Sequence, residues 1–143
     1  MNVETILRTK GRHVVTTAPN TRISAAIALL RRHGIGALVV SNDGRSVDGI
    51  LSERDIVHAL ADQGDKALGL DVSQLMSRRV ITCKPGDSVA DLMALMTERR
   101  IRHLPVMERG TLAGIVSIGD VVKNRLDEVE SEAASMREFI TGA

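Results

Sequence analysis

Gly49–Asp55 reads GILSERD, and Gly114–Asp120 reads GIVSIGD. Each stretch runs glycine, two aliphatic residues, serine, two variable residues and aspartate. In both, a short apolar run suited to a strand hands over at the serine to a helix. The likeness extends outward on either side. Val14–Gly44 aligns with Val80–Gly110 at a shift of 66 residues, and Gly49–Val57 with Gly114–Val122 at a shift of 65. Of these 40 aligned pairs 14 are identical, and many others exchange one aliphatic side chain for another. Register held over that length marks a duplication.

Each copy predicts the order β-α-β-β-α. A short apolar strand, Val14–Thr16 or Val80–Cys83, leads to Pro19 or Pro85. A helix follows, with Ile23, Ala26, Ile27 and Leu30, or Val89, Leu92, Met93 and Met96, at helical spacing. Asn20 or Thr21 suits the cap of the first of these helices, and Asp87 with Ser88 that of the second. Strands over Ala37–Ser41 and Val47–Leu51 flank Asn42-Asp43-Gly44, and strands over His103–Met107 and Thr111–Val116 flank Arg109-Gly110. The closing helices begin at Ser52 and Ser117. By this division the first motif spans residues 1–63, a linker 64–70 and the second motif 71–126. A helical turn over Asp71–Met76, with Thr5–Arg8 as its counterpart, precedes each first strand. Residues 127–143 are strongly charged, with Val129, Ala133, Met136 and Ile140 at helical spacing. They predict a helix that prolongs the last one or rests on a partner.

Composition narrows the function classes. At 143 residues with 43% hydrophobic and 26% charged residues, the chain has the make-up of a soluble globular protein. No apolar run is long enough to span a membrane, and the N-terminus lacks a secretory pattern. Cys83 has no partner for an internal disulfide, which fits a reducing cytoplasm. A formal charge of +1 gives no global attraction to nucleic acid or to an acidic membrane. Phe139 is the only aromatic residue, so stacking platforms for single-stranded bases cannot be built. A purine bound here must lie between aliphatic side chains and be read by backbone groups.

The paired heptapeptides, together with Arg100–Val106 as RIRHLPV, resemble the tandem CBS-domain family, over about residues 3 to 126. One heptapeptide alone is a weak signal; two in register with matching strands are a specific one. The resemblance implies an α+β fold of two motifs in pseudo-two-fold arrangement, sheets together and helices outside. It implies two clefts for adenosine-containing ligands such as AMP, ATP, NAD(H) or S-adenosylmethionine. It further implies a homodimer that passes ligand occupancy to a protein partner.

Ser52 and Ser117 stand where unpaired N–H groups and partial positive charge emerge from a helix start. Asp55 and Asp120, three residues on, suit the vicinal hydroxyls of a ribose, and the resemblance carries that role to both pairs. Ser-x-x-Asp is equally the pattern of a capping box, and capping and binding can coexist. Arg102 and His103, before Leu104-Pro105, offer donors for phosphate oxygens. Gly36 and Ala37 hold those places in the first copy, so the two clefts differ. The expectation is that Asp120 shares the charged cleft with Arg102 and His103. Arg54 and Lys123 are further phosphate candidates, and also ordinary surface charges. By the resemblance, backbone at Thr16 and Thr82 forms the other wall of each cleft, with Ile35 and Ile101 flanking the adenine.

His13, His33, His58 and His103 are scattered without metal-ligand spacing, and no P-loop is present. With no catalytic motif among these residues, the resemblance implies a non-catalytic regulatory module. Two other readings stay open: a structural adaptor with empty clefts, and an enzyme in which His103 serves as general base.

Overall fold

A computed structural model describes residues 1–142, and they form an α+β fold. The first half of the chain runs α1 (Val3–Lys10), β1 (Thr16–Thr17), α2 (Ile23–His33), β2 (Ala37–Val40), β3 (Gly49–Ser52) and α3 (Glu53–Gln63). The second runs α4 (Val72–Leu75), α5 (Val89–Arg99), β4 (His103–Glu108), β5 (Thr111–Ser117) and α6 (Ile118–Thr141). Between them the expected linker is folded as a 3-10 helix over Gly64–Gly69, with Ala67 buried.

β2 is the central strand of three, parallel to β1 and antiparallel to β3. β4 and β5 form an antiparallel pair, and the expected strand Val80–Cys83 shrinks to one parallel bridge from Cys83 to Val106. The reason lies across the ladder. Pro105 stands where the first copy has Val39, and without an N–H it cannot extend the pairing. Strand ends otherwise shift by one or two residues from the expected ones.

Helix caps divide the two copies. Ser88 caps α5, its hydroxyl accepting from the Asp91 N–H at 3.0 Å. Asp87 instead accepts from the Lys84 N–H, closing the turn before it. Neither Asn20 nor Thr21 caps α2, whose N-cap is Arg22 with no side-chain bond. There the Ile23 N–H donates to the Leu70 carbonyl, so a distant segment supplies the acceptor.

That contact belongs to a paired set that interlocks the copies. The Val72 N–H donates to Thr21 O and the Ser73 N–H to Pro19 O, setting α4 beneath the first motif. Correspondingly, the Val3 N–H donates to Asp87 O and the Glu4 N–H to Pro85 O, setting α1 beneath the second. Side chains follow the backbone. Val3, Ile6 and Leu7 pack in one core with Leu92, Met96, Leu104, Val106 and Val116. Val72 and Met76 pack in the other with Ile23, Leu30, Leu38, Val40 and Leu51. Each N-terminal helix thus completes the core it does not precede in the repeat, α1 crossing to the far motif and α4 returning to the near one.

Cys83 lies in the core of the second motif, 3% exposed. Burial, helped by the Asp87 carboxylate, pushes its thiol up to about 12. The folded value exceeds the unfolded one, so the neutral thiol adds stability below the unfolded pKa of about 8.5. That contribution is lost as pH rises toward 12. Cys83 is therefore expected to resist iodoacetamide at mildly alkaline pH and to alkylate fully in denaturant; equal rates in both would show the site to be open.

α6 runs without a break through the predicted extension to Thr141; Ala143 lies outside the described residues. Val121, in its first turn, is buried, whereas Leu126, Met136, Phe139 and Ile140 are exposed. No helix among the described residues is long and apolar enough to cross a membrane.

Candidate functional site

β3 delivers Ser52 to the start of α3, and β5 delivers Ser117 to the start of α6. Both serines form capping boxes. The Ser52 hydroxyl accepts from the Asp55 N–H, and the Asp55 carboxylate accepts from the Ser52 N–H at 2.9 Å. The Ser117 and Asp120 pair repeats this geometry, with the Ser117 N–H at 2.9 Å from Asp120. At Asp55 every hydrogen bond falls on Oδ2, which leaves Oδ1 able to accept from a ligand. Capping and ligand contact are compatible at this carboxylate.

Ser52 and Asp55 open on a cleft of about 710 Å³ between the two motifs. Its apolar wall includes Ile50, Val57, Val80, Ile81 and Ile101. Its polar rim holds Arg54, Arg79, Arg100 and Arg102, with His58 and His103, against the carboxylates of Glu53 and Asp55. Four arginines facing two carboxylates make the cleft electropositive, and its size is that of a small-molecule site.

Arg100 holds its place against its own preference. It ends α5 in the left-handed conformation, φ 53° and ψ 44°. In the first copy Gly34 ends α2 at φ 61°, which is the inexpensive choice. A side chain in this conformation costs about 1 kcal/mol. Matching by the repeat sets Arg79, Arg100 and Arg102 against His13, Gly34 and Gly36, so charge has accumulated on one copy only.

His103 sits where the motifs meet. A Cβ on Gly36 would lie 3.4 Å from its imidazole Cε1, so glycine at 36 leaves room for the ring. Burial lowers the His103 pKa below its ordinary value, and the Glu53 and Asp120 carboxylates partly oppose this. Positive charge on Lys10 and Arg102 adds to the lowering. The lowering favours the neutral ring, which still carries one N–H donor.

The sequence expectations divide here. Ser52, Arg54, Asp55, Ile101, Arg102 and His103 come together in one cleft. The carboxylate that lines this cleft with Arg102 and His103 is Asp55; Asp120, expected there, is also close to His103, which pairs across β4 and β5 with Ser117. His103 reaches this cleft because its ring packs over Gly36, just before β2. Leu104 and Pro105 are buried in core positions and do not line it. Thr16 is held in β1, opposite Val39, and Thr82 is exposed outside the lining. Val80 and Ile81 supply the wall assigned to Thr82. Ile35 packs on the first core and Lys123 is exposed on α6. Arg79, Arg100, Glu53 and His58 were missed; setting the copies side by side residue by residue exposes the excess charge at 79 and 100.

Asp120, also close to His103, is held by Lys10. The Lys10 ammonium donates to its Oδ2 at 2.7 Å and to the Ile115 carbonyl at 2.9 Å. Burial raises the Asp120 pKa, but the hydrogen bonds from Lys10 and the Ser117 N–H outweigh it and hold the carboxyl below its ordinary value. Among the described residues no cluster of His, Cys, Asp and Glu suits a metal ion.

Comparison with known proteins shows the family and the fold. The sequence profile of the CBS domain matches residues 3–62 and again residues 72–127. The CBS domain-containing protein YhcV of Bacillus subtilis is 33% identical over 121 residues, 85% of either chain. The crystal structure of the CBS-domain protein ATU1752 from Agrobacterium tumefaciens superposes with a TM-score of 0.84 at 47% identity, covering 87% of this chain and 92% of that one. The CBS domain pair of protein MJ0100, solved with 5′-methylthioadenosine and S-adenosyl-L-methionine, superposes at 0.79 with 25% identity, covering 90% and 98%. With the profile matched twice, over most of its length, this chain belongs to the CBS domain family as a tandem pair.

Proposed function

We propose that this chain is a non-catalytic sensor of a phosphorylated adenine nucleotide, held in the cleft between Asp55 and Arg102. The observation that carries the reading is the meeting in one cleft of a hydroxyl and a carboxylate, Ser52 and Asp55, with four arginines. A carboxylate oxygen takes the ribose hydroxyls, aliphatic walls take the adenine, and guanidinium forks take phosphate oxygens. That charge favours ATP, AMP or NAD(H) over S-adenosylmethionine, whose sulfonium is cationic. The adenosine compounds bound by the MJ0100 pair support the ligand class. Occupancy would be read by a second copy or a protein partner, for which α6 offers exposed Leu126, Met136 and Phe139. The lone buried Cys83 suits a cytoplasmic setting.

Calorimetry with ATP and with adenosine tests the reading. ATP is expected to bind the tighter of the two and to be recovered unhydrolysed. At 100 times its dissociation constant it should stabilise the fold by about 2.7 kcal/mol. Arg100→Gly separates binding from folding: relief of the left-handed arginine should leave the melting temperature at or above wild type, while ATP affinity falls about tenfold. Equal affinity for ATP and adenosine, or ATP binding untouched by Arg100→Gly, would remove the phosphate assignment.

A further inference from the structure

The two copies differ in how the chain leaves the helix that completes each core. Gly49 would clash through a Cβ with Met76, at 2.6 Å, and Gly114 with Leu7, at 2.7 Å, so Leu7 and Met76 are structural equivalents. From Met76 to Val80 three residues intervene; from Leu7 to Val14 there are six. The additional residues lengthen α1 to eight residues, against four in α4.

The consequence falls on the strand beside each cleft. After α4 the chain turns directly into a bridge, with the Ser77 N–H on Ile50 O and the Ile50 N–H on Ser77 O. After α1 the further turn carries the backbone past that position. Lys10, at the end of the turn, places its ammonium on the Ile115 carbonyl, the equivalent of Ile50 O. The same ammonium reaches Asp120. An ion pair between Glu4 and Arg12 folds the following segment back onto α1, and Gly11, at φ 98°, makes the turn. Among the described residues Asp55 has no ion-pair partner. Its Lys10 side chain 31% exposed and its Asp120 side chain 23% exposed, the second pair is shielded but not sealed.

We infer that Lys10 occupies the second cleft from within, so that each chain binds nucleotide at Asp55 alone, and that Lys10 is the residue that decides this stoichiometry. The inference rests on the nucleotide-binding reading above. A ribose hydroxyl competing for Asp120 offers a neutral hydrogen bond, whereas Lys10 offers a charge-assisted one. Lys10 is also tethered, and so acts at the high effective concentration of an intramolecular ligand. The longer α1 is a built-in plug.

Lys10→Met removes the ammonium and keeps the side-chain length; Lys10→Arg retains the charge. Calorimetric titration with ATP should give about one site per chain in wild type and Lys10→Arg, and about two in Lys10→Met. Asp120→Ala on the Lys10→Met background should remove the added site, and melting curves confirm that each variant folds. Two sites in wild type, or one in wild type and still one in Lys10→Met, overturn the plug and leave the Asp55 reading intact. No site in wild type but one in Lys10→Met sinks the Asp55 reading and upholds the plug. Absence of binding in both removes both.

Discussion

Asp55→Ala is expected to weaken ATP binding about 100-fold, while Asp120→Ala changes it less than about threefold. The first figure follows from losing hydrogen bonds to an ionised acceptor, each of which contributes about 1.5–3 kcal/mol where water is excluded. Asp55 lines the cleft with Arg54, Arg79, Arg100 and Arg102, and its Oδ1 is not used by the capping box. Loss of the box itself is minor, since Ser52 still caps α3 and the remaining effect on stability is below about 1 kcal/mol. Asp120 is bonded to Lys10, so its removal acts on the fold. Its folded pKa lies below the ordinary value, so the ionised carboxylate adds stability above the unfolded pKa, near 3.9. That contribution disappears as pH falls through the folded pKa, and Asp120→Ala should blunt the acid limb of the stability curve. Calorimetry on the two variants decides the assignment. If Asp120→Ala were the more damaging, the ligand would sit in the other cleft.

Gly49→Ala is expected to be the most destabilising single methyl addition in the chain. The new Cβ would lie 2.6 Å from Met76 Sδ and 2.8 Å from the Ser77 carbonyl oxygen. Met76 can swing away, but Ser77 O is backbone and is held by the Ile50 N–H. Relief therefore requires α4 to lift off β3, opening the core built on Val72, Met76 and Leu51. Overpacking of this kind costs about 3 kcal/mol, which lowers the melting temperature by roughly 10 °C for a chain of this size. Gly114→Ala meets Leu7 Cδ2 at 2.7 Å, with side-chain atoms as its nearest neighbours. Leucine can change rotamer, so about half the penalty is expected. Differential scanning calorimetry of the two variants gives the comparison directly. A Gly114→Ala penalty equal to that of Gly49→Ala would mean that backbone rigidity at Ser77 is not the cause.

The heptapeptides Gly49–Asp55 and Gly114–Asp120 were sufficient for the repeat, the order of elements and the capping serines, because those are properties of local spacing. Strand β1 was legible in the first copy and its twin was not, because the outcome depended on Pro105 across the ladder. The cap of α2 was misassigned to Asn20 or Thr21 because its acceptor, Leu70 O, arrives from the far end of the motif. Arg102 and His103 stood out as candidate phosphate contacts, whereas Arg79 and Arg100 were passed over, because nothing in their local sequence marks either as lining a cleft. Their approach to Ser52 is a property of the joint between the two copies.

Repetition, helical and strand periodicity, and the serine–aspartate pairs are written into neighbouring residues, so the chain alone specified two like motifs and the groups each presents. Which carboxylate faces the arginines, and which one is held by Lys10, depended on the two motifs docking and exchanging their first helices. Those contacts join residues as far apart as Lys10 and Asp120, and three added residues before Val14 were enough to make one cleft unlike the other.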